Sequence, residues 1–316
     1  MVKHVKGTRL STVYGPLPSW YLGSYLGIDP MMPPRRCYFN CIYCPYDEDE
    51  HRGRAINAEV IREDLIRHIK DLNVKFVLID GIGEPSFNEE LADIVEAIER
   101  VKAEMGLRLS IALRSCAPHL LLKRLGSALR LVDLVIVKVD AVTDHVVSLI
   151  NDPPSLDYIR GQVDTLKAIK EHAKLAIKTM LLRTHEAPLN TDPIELRKLL
   201  ELLVNVGPDL VILDTPLWSD QVSTLDRGLL EEIGGILADH LGWDRVRVRG
   251  VHEEVEEVIW NAEGIEDRLI NILLRVPLSR KAIRRIGGDI ALETFNKLLI
   301  RSIVKEIGNG YFVLKN

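Results

Sequence analysis

Apolar and polar positions along this chain follow two periods, and from about residue 24 to residue 250 the two take turns. Continuous apolar runs at 74–79, 109–113, 132–139, 175–181 and 210–213 have the length of buried strands. Between them, apolar residues recur three and four positions apart over 58–72, 89–104, 119–129, 156–170, 193–205 and 227–241, which predicts amphipathic helices. One of these opens on a strong start signal, with Asp192 as N-cap, Pro193 in the first helical position and Glu195 in the third. Continuous apolar strands alternating with helices predict a parallel sheet covered by helices. Periodicity alone fits both a partial barrel of six β/α units and a doubly wound sheet.

Past residue 250 the pattern changes. Residues 251–262 are an acidic stretch, read as a linker or a solvated helix. Beyond it, 265–274, 279–286 and 289–303 read as three helices, and the runs 304–307 and 311–314 flank the turn Gly308-Asn309-Gly310. Three helices and a hairpin predict a winged helix-turn-helix module over 263–316, following the alternating strand and helix region, with its N-terminal extension, over 1–250. Residues 259–316 hold ten Lys/Arg against six Asp/Glu, leaving the rest of the chain near −9 for the overall −5. Arg280, Lys281, Arg284, Arg285, Lys297 and Arg301 are candidates for phosphate contacts, or form a merely solvated basic face.

The remaining composition is that of a globular protein, with 47% apolar and 28% charged residues in 316. No uncharged apolar run reaches the roughly 18 residues of a membrane helix, so no membrane partner is expected. The first dozen residues lack the apolar centre of a signal peptide. Only Cys116 lies outside one short cysteine-rich window, so a disulfide framework is not expected and the chain is assigned to the reducing cytoplasm.

That window carries the chemistry. Cys37, Cys41 and Cys44 stand in Cys-x3-Cys-x2-Cys spacing. A structural zinc site would close its tetrahedron with a fourth Cys or His, commonly from a second pair, and the chain has no such pair. The spacing is that of a 4Fe-4S cluster with three iron atoms held by thiolates and one left open. Further along, the strand-like run 74–80 leads into Gly81-Ile82-Gly83-Glu84-Pro85-Ser86.

Together the two motifs, in this order and separated by a helix, resemble those of the radical S-adenosylmethionine superfamily. The resemblance implies an α/β fold, a partial (β/α)6 barrel of the radical SAM type, with a 4Fe-4S cluster and S-adenosyl-L-methionine as cofactors and an external one-electron donor as partner. It also implies reductive cleavage of the cofactor to methionine and a 5′-deoxyadenosyl radical, which abstracts hydrogen from a substrate, RNA or peptide among the candidates. Cys37, Cys41 and Cys44 are then the cluster ligands, and Tyr43 matches the aromatic residue beside the adenine. Gly81, Gly83 and Glu84 line the methionine amino group, the glycines being suited to positive φ and to close backbone approach. Ser115, at the end of the third strand, and Lys138 and Asp140, at the end of the fourth, are candidates for the cofactor's carboxylate and ribose hydroxyls. No residue is assigned a direct catalytic role.

Lys138 and Asp140 also read as a mutual ion pair, since their i, i+2 spacing puts both on one strand face. Lys178 raises the same question, and Asp214 and Thr215 end the sixth strand where they face a substrate. His185 and Glu186 read as solvated loop residues, and His51, His119 and His145 follow no ligand spacing. The stretch 13–29, VYGPLPSWYLGSYLGID, resembles the YGPxPS…LG signature of one radical SAM subfamily often labelled as related to wyosine tRNA-base synthesis; the likeness continues at 138–141 and 213–216. Trp20 and Tyr21 stand where such relatives usually carry two arginines, which removes two potential anion contacts; both also read as packing aromatics. A second cluster, implied for wyosine-forming enzymes, would need more cysteines than Cys116, which itself reads as a small buried thiol. The reading from another class is a regulator whose cysteines hold zinc and whose winged helix binds nucleic acid. A brown, iron-bearing protein rather than a colourless zinc protein separates the two.

Overall fold

The computed structural model describes residues 10–33, 37–46, 54–69, 72, 74–158, 161–185, 187–252, 258, 260 and 264–315. Most of the acidic stretch at 251–262, and with it Glu186 and His51, lies outside the described residues. Two N-terminal strands, β1 (Val13–Ser19) and β2 (Gly23–Ile28), form an antiparallel hairpin. There follow α1 (Ala58–Ile69), β3 (Phe76–Ile79), α2 (Leu91–Met105), β4 (Ser110–Ser115), α3 (Pro118–Leu125), β5 (Leu134–Lys138), α4 (Asp144–Ile150) and α5 (Gln162–Lys170). The frame is completed by β6 (Lys174–Met180), α6 (Pro193–Val206), β7 (Leu210–Asp214), α7 (Arg227–Leu241) and β8 (Val246–Val248).

All eight strands join one sheet in chain order, parallel from β2 onward. The expected run of six β/α units is present as β2 to β7, extended at its edges by antiparallel β1 and short β8. Neither edge strand nor α4 stood out in the sequence, because each is short or broken by glycine and proline. The Pro193 helix begins where expected, with the Asp192 carboxylate accepting from the Ile194 N–H at 2.9 Å.

Because strand side chains alternate, each parallel strand has two faces of different character. Val77, Ile79, Ile111, Leu113, Val135, Val137 and Ile177 face the helices and join the larger core. Leu78, Ala112, Ile136, Ala176 and Ile212 face inward and belong to a second core. Aromatic residues of the β1–β2 turn reach side chains on β6 and just past β8, at the far side of the sheet. The sheet is therefore curled, with the register stagger that brings the lower end of one edge to the upper end of the other.

The C-terminal residues form α8 (Ile265–Leu273), β9 (Leu278–Ser279), α9 (Arg280–Ile300), β10 (Val304–Gly308) and β11 (Tyr311–Leu314), with a small sheet in the order β9-β11-β10. Helix α9 breaks at Gly288, whose φ of +65° lies outside the helical region, so the two expected helices at 279–286 and 289–303 meet at a kink. This segment is welded to the frame. Arg275 and Asp29, both with fully buried side chains, pair at 2.7 Å, and Arg275 also donates to the Ser11 carbonyl at 2.6 Å. The Trp260 indole donates to the Pro16 carbonyl at 2.9 Å. At the opposite end, the β10–β11 turn lies on the loop after β7: Asn309 donates to the Leu217 carbonyl at 3.1 Å, and a Cβ on Gly308 would meet Asp220 and the Trp218 carbonyl. The C-terminal segment thus bridges β1 and the β7 side of the curled sheet.

Burial raises the Asp29 pKa in spite of Arg275, so desolvation of this pair is not fully offset by their attraction. Replacing Arg275 by Met would strand the carboxylate, with an expected loss of about 3–5 kcal/mol in urea unfolding. Adding Asp29→Asn to that variant is expected to recover part of the loss, since no unpaired charge remains.

Candidate active site

The inward face changes chemistry at the upper ends of the strands. Two residues beyond each inward apolar position stands a charge: Asp80 after Leu78, Arg114 after Ala112, Lys138 after Ile136, Lys178 after Ala176 and Asp214 after Ile212. Strand alternation makes these five a single row. Buried charges need partners, and the row is paired within itself and with its neighbours. Arg114 bonds Asp80, Lys178 reaches Asp214 at 2.8 Å, and Arg249 just past β8 also bonds Asp214. Burial alone would raise the Asp214 pKa, but Lys178 and then Arg249 hold it well below the carboxylate range.

The cysteine loop crosses the top of this row. Cys37 is buried, and Cys41 and Cys44 are partly so. Phe39 anchors the loop in a small core with Met31, Phe87 and Ala117, and the end of α4 clamps it through Ile42 N–H to the Ile150 carbonyl at 2.9 Å and Asn40 N–H to the Asn151 carbonyl at 3.0 Å. The Trp218 indole holds the Tyr43 carbonyl at 2.9 Å. Tyr43 donates its hydroxyl proton to Asp140 and accepts from Lys138, whose ammonium also lies 4.6 Å from the Tyr43 ring centroid. Lys138 and Asp140 stand 3.8 Å apart, so the ion-pair reading of their spacing holds, with Tyr43 inserted as the hydrogen-bonded link. Asp140 accepts further from Asn151 at 2.7 Å and from the Met180 N–H at 2.9 Å.

The glycine loop differs from the expectation in its physical cause. Neither Gly81 nor Gly83 is among the positive-φ glycines of the described residues; a Cβ on Gly81 would fall 2.1 Å from the Asp29 carboxylate, so what requires glycine there is the close approach of that side chain. Glu84 is turned into the scaffold. Its carboxylate accepts from the Ser115 hydroxyl at 2.6 Å, the Cys116 N–H at 2.7 Å and the Ser86 N–H at 3.1 Å, which ties the loop to the end of β4. Ser115 accepts in turn from the Ala117 N–H at 3.0 Å. Glu84, Ser115, Lys138, Asp140, Tyr43 and the cysteine loop thus gather at one end of the sheet, where βα loops carry function in barrels.

Position also settles the remaining candidates. Cys116 follows β4 directly and is partly buried, as its reading as a thiol after a strand expects; it shares a small cleft with Phe39, Lys138, Asp140 and Asn151 and lies in the electrostatic reach of Cys37 and Cys41. Trp20 and Tyr21 do pack against the inward-facing core, and they also cover Arg249 and Lys178, so the cations at this place come from the far strands. Thr215 is structural, its hydroxyl accepting from the Leu225 N–H at 3.0 Å. His119 bonds Thr165, and His185 bonds Ser223 and the Asp220 carbonyl. Of the row, Asp80 and Arg114 were missed, although an apolar residue, one spacer and a charge at each strand end was the signal.

Three thiols in one loop are a donor set that fits an iron-sulfur cluster, which spreads its thiolates over three irons. Cys41 and Cys44 line a cavity of about 850 Å³ together with Tyr46, Leu149, Trp218 and Ile307. Burial raises the pKa of the Cys41 and Cys116 thiols, so iron would be what holds Cys41 as thiolate. Burial also opposes the Lys138 charge, but Cys116 and Cys41 in their thiolate forms, with the Asp140 carboxylate, hold its pKa above the ordinary lysine value.

A parallel, curled α/β sheet with a three-cysteine loop above a row of buried charges defines an enzyme that works through a bound cluster. The chain belongs to the radical SAM superfamily, whose family model matches residues 31–187. It is a radical SAM enzyme, and its cofactors are those of the superfamily, a 4Fe-4S cluster and S-adenosylmethionine. A UPF0026 protein of Synechocystis sp. is 29% identical over 216 residues, 66% of this chain and 77% of that one. Among solved structures, a radical SAM methyltransferase from Sphaerobacter thermophilus matches with TM-score 0.55 at 14% identity, over 74% of this chain and 70% of that one. TYW1 with a lysine-pyruvate adduct bound matches with TM-score 0.51 at 17% identity, over 68% and 73%. At these identities the two structures share the fold. Among the described residues no helix is long and apolar enough to cross a membrane.

Replacing Glu84 by Ala removes the acceptor of a buried hydroxyl and a buried N–H. The expected cost is about 2–4 kcal/mol, read as a lowered urea midpoint with unchanged m-value.

Proposed function

We propose that Cys37, Cys41 and Cys44 hold the cluster and that the groups around Lys138 hold S-adenosylmethionine for reductive cleavage. When bound, the reduced cluster would supply one electron to the cofactor's sulfonium, and cleavage would give methionine and a 5′-deoxyadenosyl radical able to take hydrogen from the substrate. The observation that carries the reading is the Lys138–Tyr43–Asp140 chain, which links the cysteine loop to the end of β5. Lys138 is a fixed cation suited to the cofactor's carboxylate, and Asp140 is oriented toward its ribose by Asn151 and the Met180 N–H. Gly81 and Gly83 offer backbone to the methionine ammonium, while Glu84 and Ser115 keep that loop in place rather than reaching for the ligand. The electron comes from an external one-electron donor.

The C-terminal part, 263–316 after a linker over 251–262, is proposed to be a winged helix-turn-helix module appended to a barrel over 1–250. Helix, strand, kinked helix and hairpin in that order support it. Three of its six candidate phosphate-contact residues have partners inside the module. Arg280 stacks on Phe295 and Phe312, Arg284 pairs with Asp289 at 3.0 Å and Arg301 with Glu266 at 2.6 Å. The hairpin turn, meanwhile, rests on the loop that carries Trp218. The module's proposed role is to close the curled sheet and steady the cysteine loop.

Anaerobic reconstitution is expected to give a brown protein with about four irons per chain that releases 5′-deoxyadenosine when reduced with S-adenosylmethionine. Cys41→Ala is expected to abolish that product and keep the fold. Undiminished cleavage in this variant, or a colourless zinc protein, would remove the assignment.

A further inference from the structure

At the seam where the β1–β2 turn meets the far strands, five side chains form a closed ring. Trp20 and Tyr21 lie edge to face with ring centroids 5.3 Å apart, and the Lys178 ammonium stands 5.0 Å from the Tyr21 centroid. Lys178 bonds one oxygen of Asp214 at 2.8 Å, Arg249 bonds both oxygens, and the Arg249 guanidinium lies 5.2 Å over the Trp20 ring. One polar atom in this ring is left over: the Trp20 Nε1 is buried and has no hydrogen-bond partner among the described residues. An indole nitrogen only donates, so the missing partner is an acceptor. Asp214 cannot serve, because Arg249 and the Thr215 N–H on one oxygen and Arg249 and Lys178 on the other fill its acceptor sites. Lys178 has three N–H groups, of which Asp214 takes one.

We propose that this ring binds the anionic group, a carboxylate or a phosphate, of the enzyme's substrate, with Trp20 Nε1 and Lys178 Nζ donating to it and Arg249 supplying charge beside it. Charge-assisted hydrogen bonds in a partly dry site favour an anion over a neutral carbonyl. The two aromatic rings give the anion a rigid wall and shield the cations from water. The position relative to the chemistry follows from register. Lys178 on β6 pairs directly with Lys138 on β5, and Lys138 is bonded to Tyr43 of the cysteine loop. An anion held by Lys178 therefore sits one strand away from the proposed cofactor site, and the carbons attached to it are the ones presented there. This assignment rests on reading the curled sheet as the reaction chamber.

The test uses the full chain with its cluster oxidised and 15N-labelled tryptophan, which gives four indole signals; that of Trp20 is assigned by its loss in Trp20→Phe. Acetate and inorganic phosphate are titrated separately at constant ionic strength. A saturable downfield shift of the Trp20 signal alone is expected with one anion, acetate marking a carboxylate substrate and phosphate a phosphorylated one. Lys178→Met is expected to weaken that binding at least tenfold while the other three signals keep their positions. Should Lys178→Met not fold, calorimetry on Trp20→Phe, which keeps a ring and loses the N–H, is expected to show affinity reduced several-fold. No saturable shift with either anion, affinity unchanged in the variants, or the same shift produced by S-adenosylmethionine would overturn the proposal. The readout needs neither reduction nor turnover, so failure of the radical chemistry would leave it standing.

Discussion

One buried ion pair, Asp29 with Arg275, ties together the three parts on which the site depends. Asp29 closes β2 just before the cysteine loop, and its carboxylate accepts from the Met31 N–H at 2.9 Å at the start of that connection. The same carboxylate presses against Gly81, so the glycine loop takes its path around it. Arg275 brings in the C-terminal segment, and through the Ser11 carbonyl it fixes the chain that enters β1. A pair this buried adds little net stability. What it contributes is position, because only one arrangement of the three segments satisfies every donor of the guanidinium.

From that anchor the C-terminal segment crosses the open side of the curled sheet and lands on the loop after β7. The landing is close: Gly308 takes a φ of +127° and leaves no room for a side chain against Asp220 and the Trp218 carbonyl. Trp218 in turn holds the Tyr43 carbonyl, and Ile307 lines the same cavity as Cys41 and Cys44. The hairpin is thus part of the wall beside the cluster loop, and loosening it would reach the loop through a single indole hydrogen bond.

Much of this was legible in the chain. The Cys-x3-Cys-x2-Cys spacing and the Gly-x-Gly-Glu-Pro loop marked the candidate site, and the strand and helix periods gave most of the frame within a few residues of the observed ends, the exception being the helix expected over 156–170, which begins at Gln162. The C-terminal helix break was legible too, since Gly287-Gly288 interrupts an otherwise helical pattern. What escaped were short elements such as α4 and β8, too brief for any period to show, and Asp80 and Arg114, whose charges look solvated until the strand register turns them inward. The surroundings of Glu84 escaped in another way, since the partners that occupy its carboxylate, Ser115 and the Cys116 N–H, lie far along the chain at the end of β4.

Local sequence determined the elements, the cysteine spacing and the apolar-spacer-charge ending of each inward strand, because each depends on neighbours within one turn or one pleat. Tertiary structure decided which charges meet. The curl and stagger of the sheet carry Trp20 to Arg249, and Asp29 to an arginine 246 positions later. Those pairings follow from how two distant edges approach one another, a geometry set by the packing of the whole sheet and encoded in no single stretch of it.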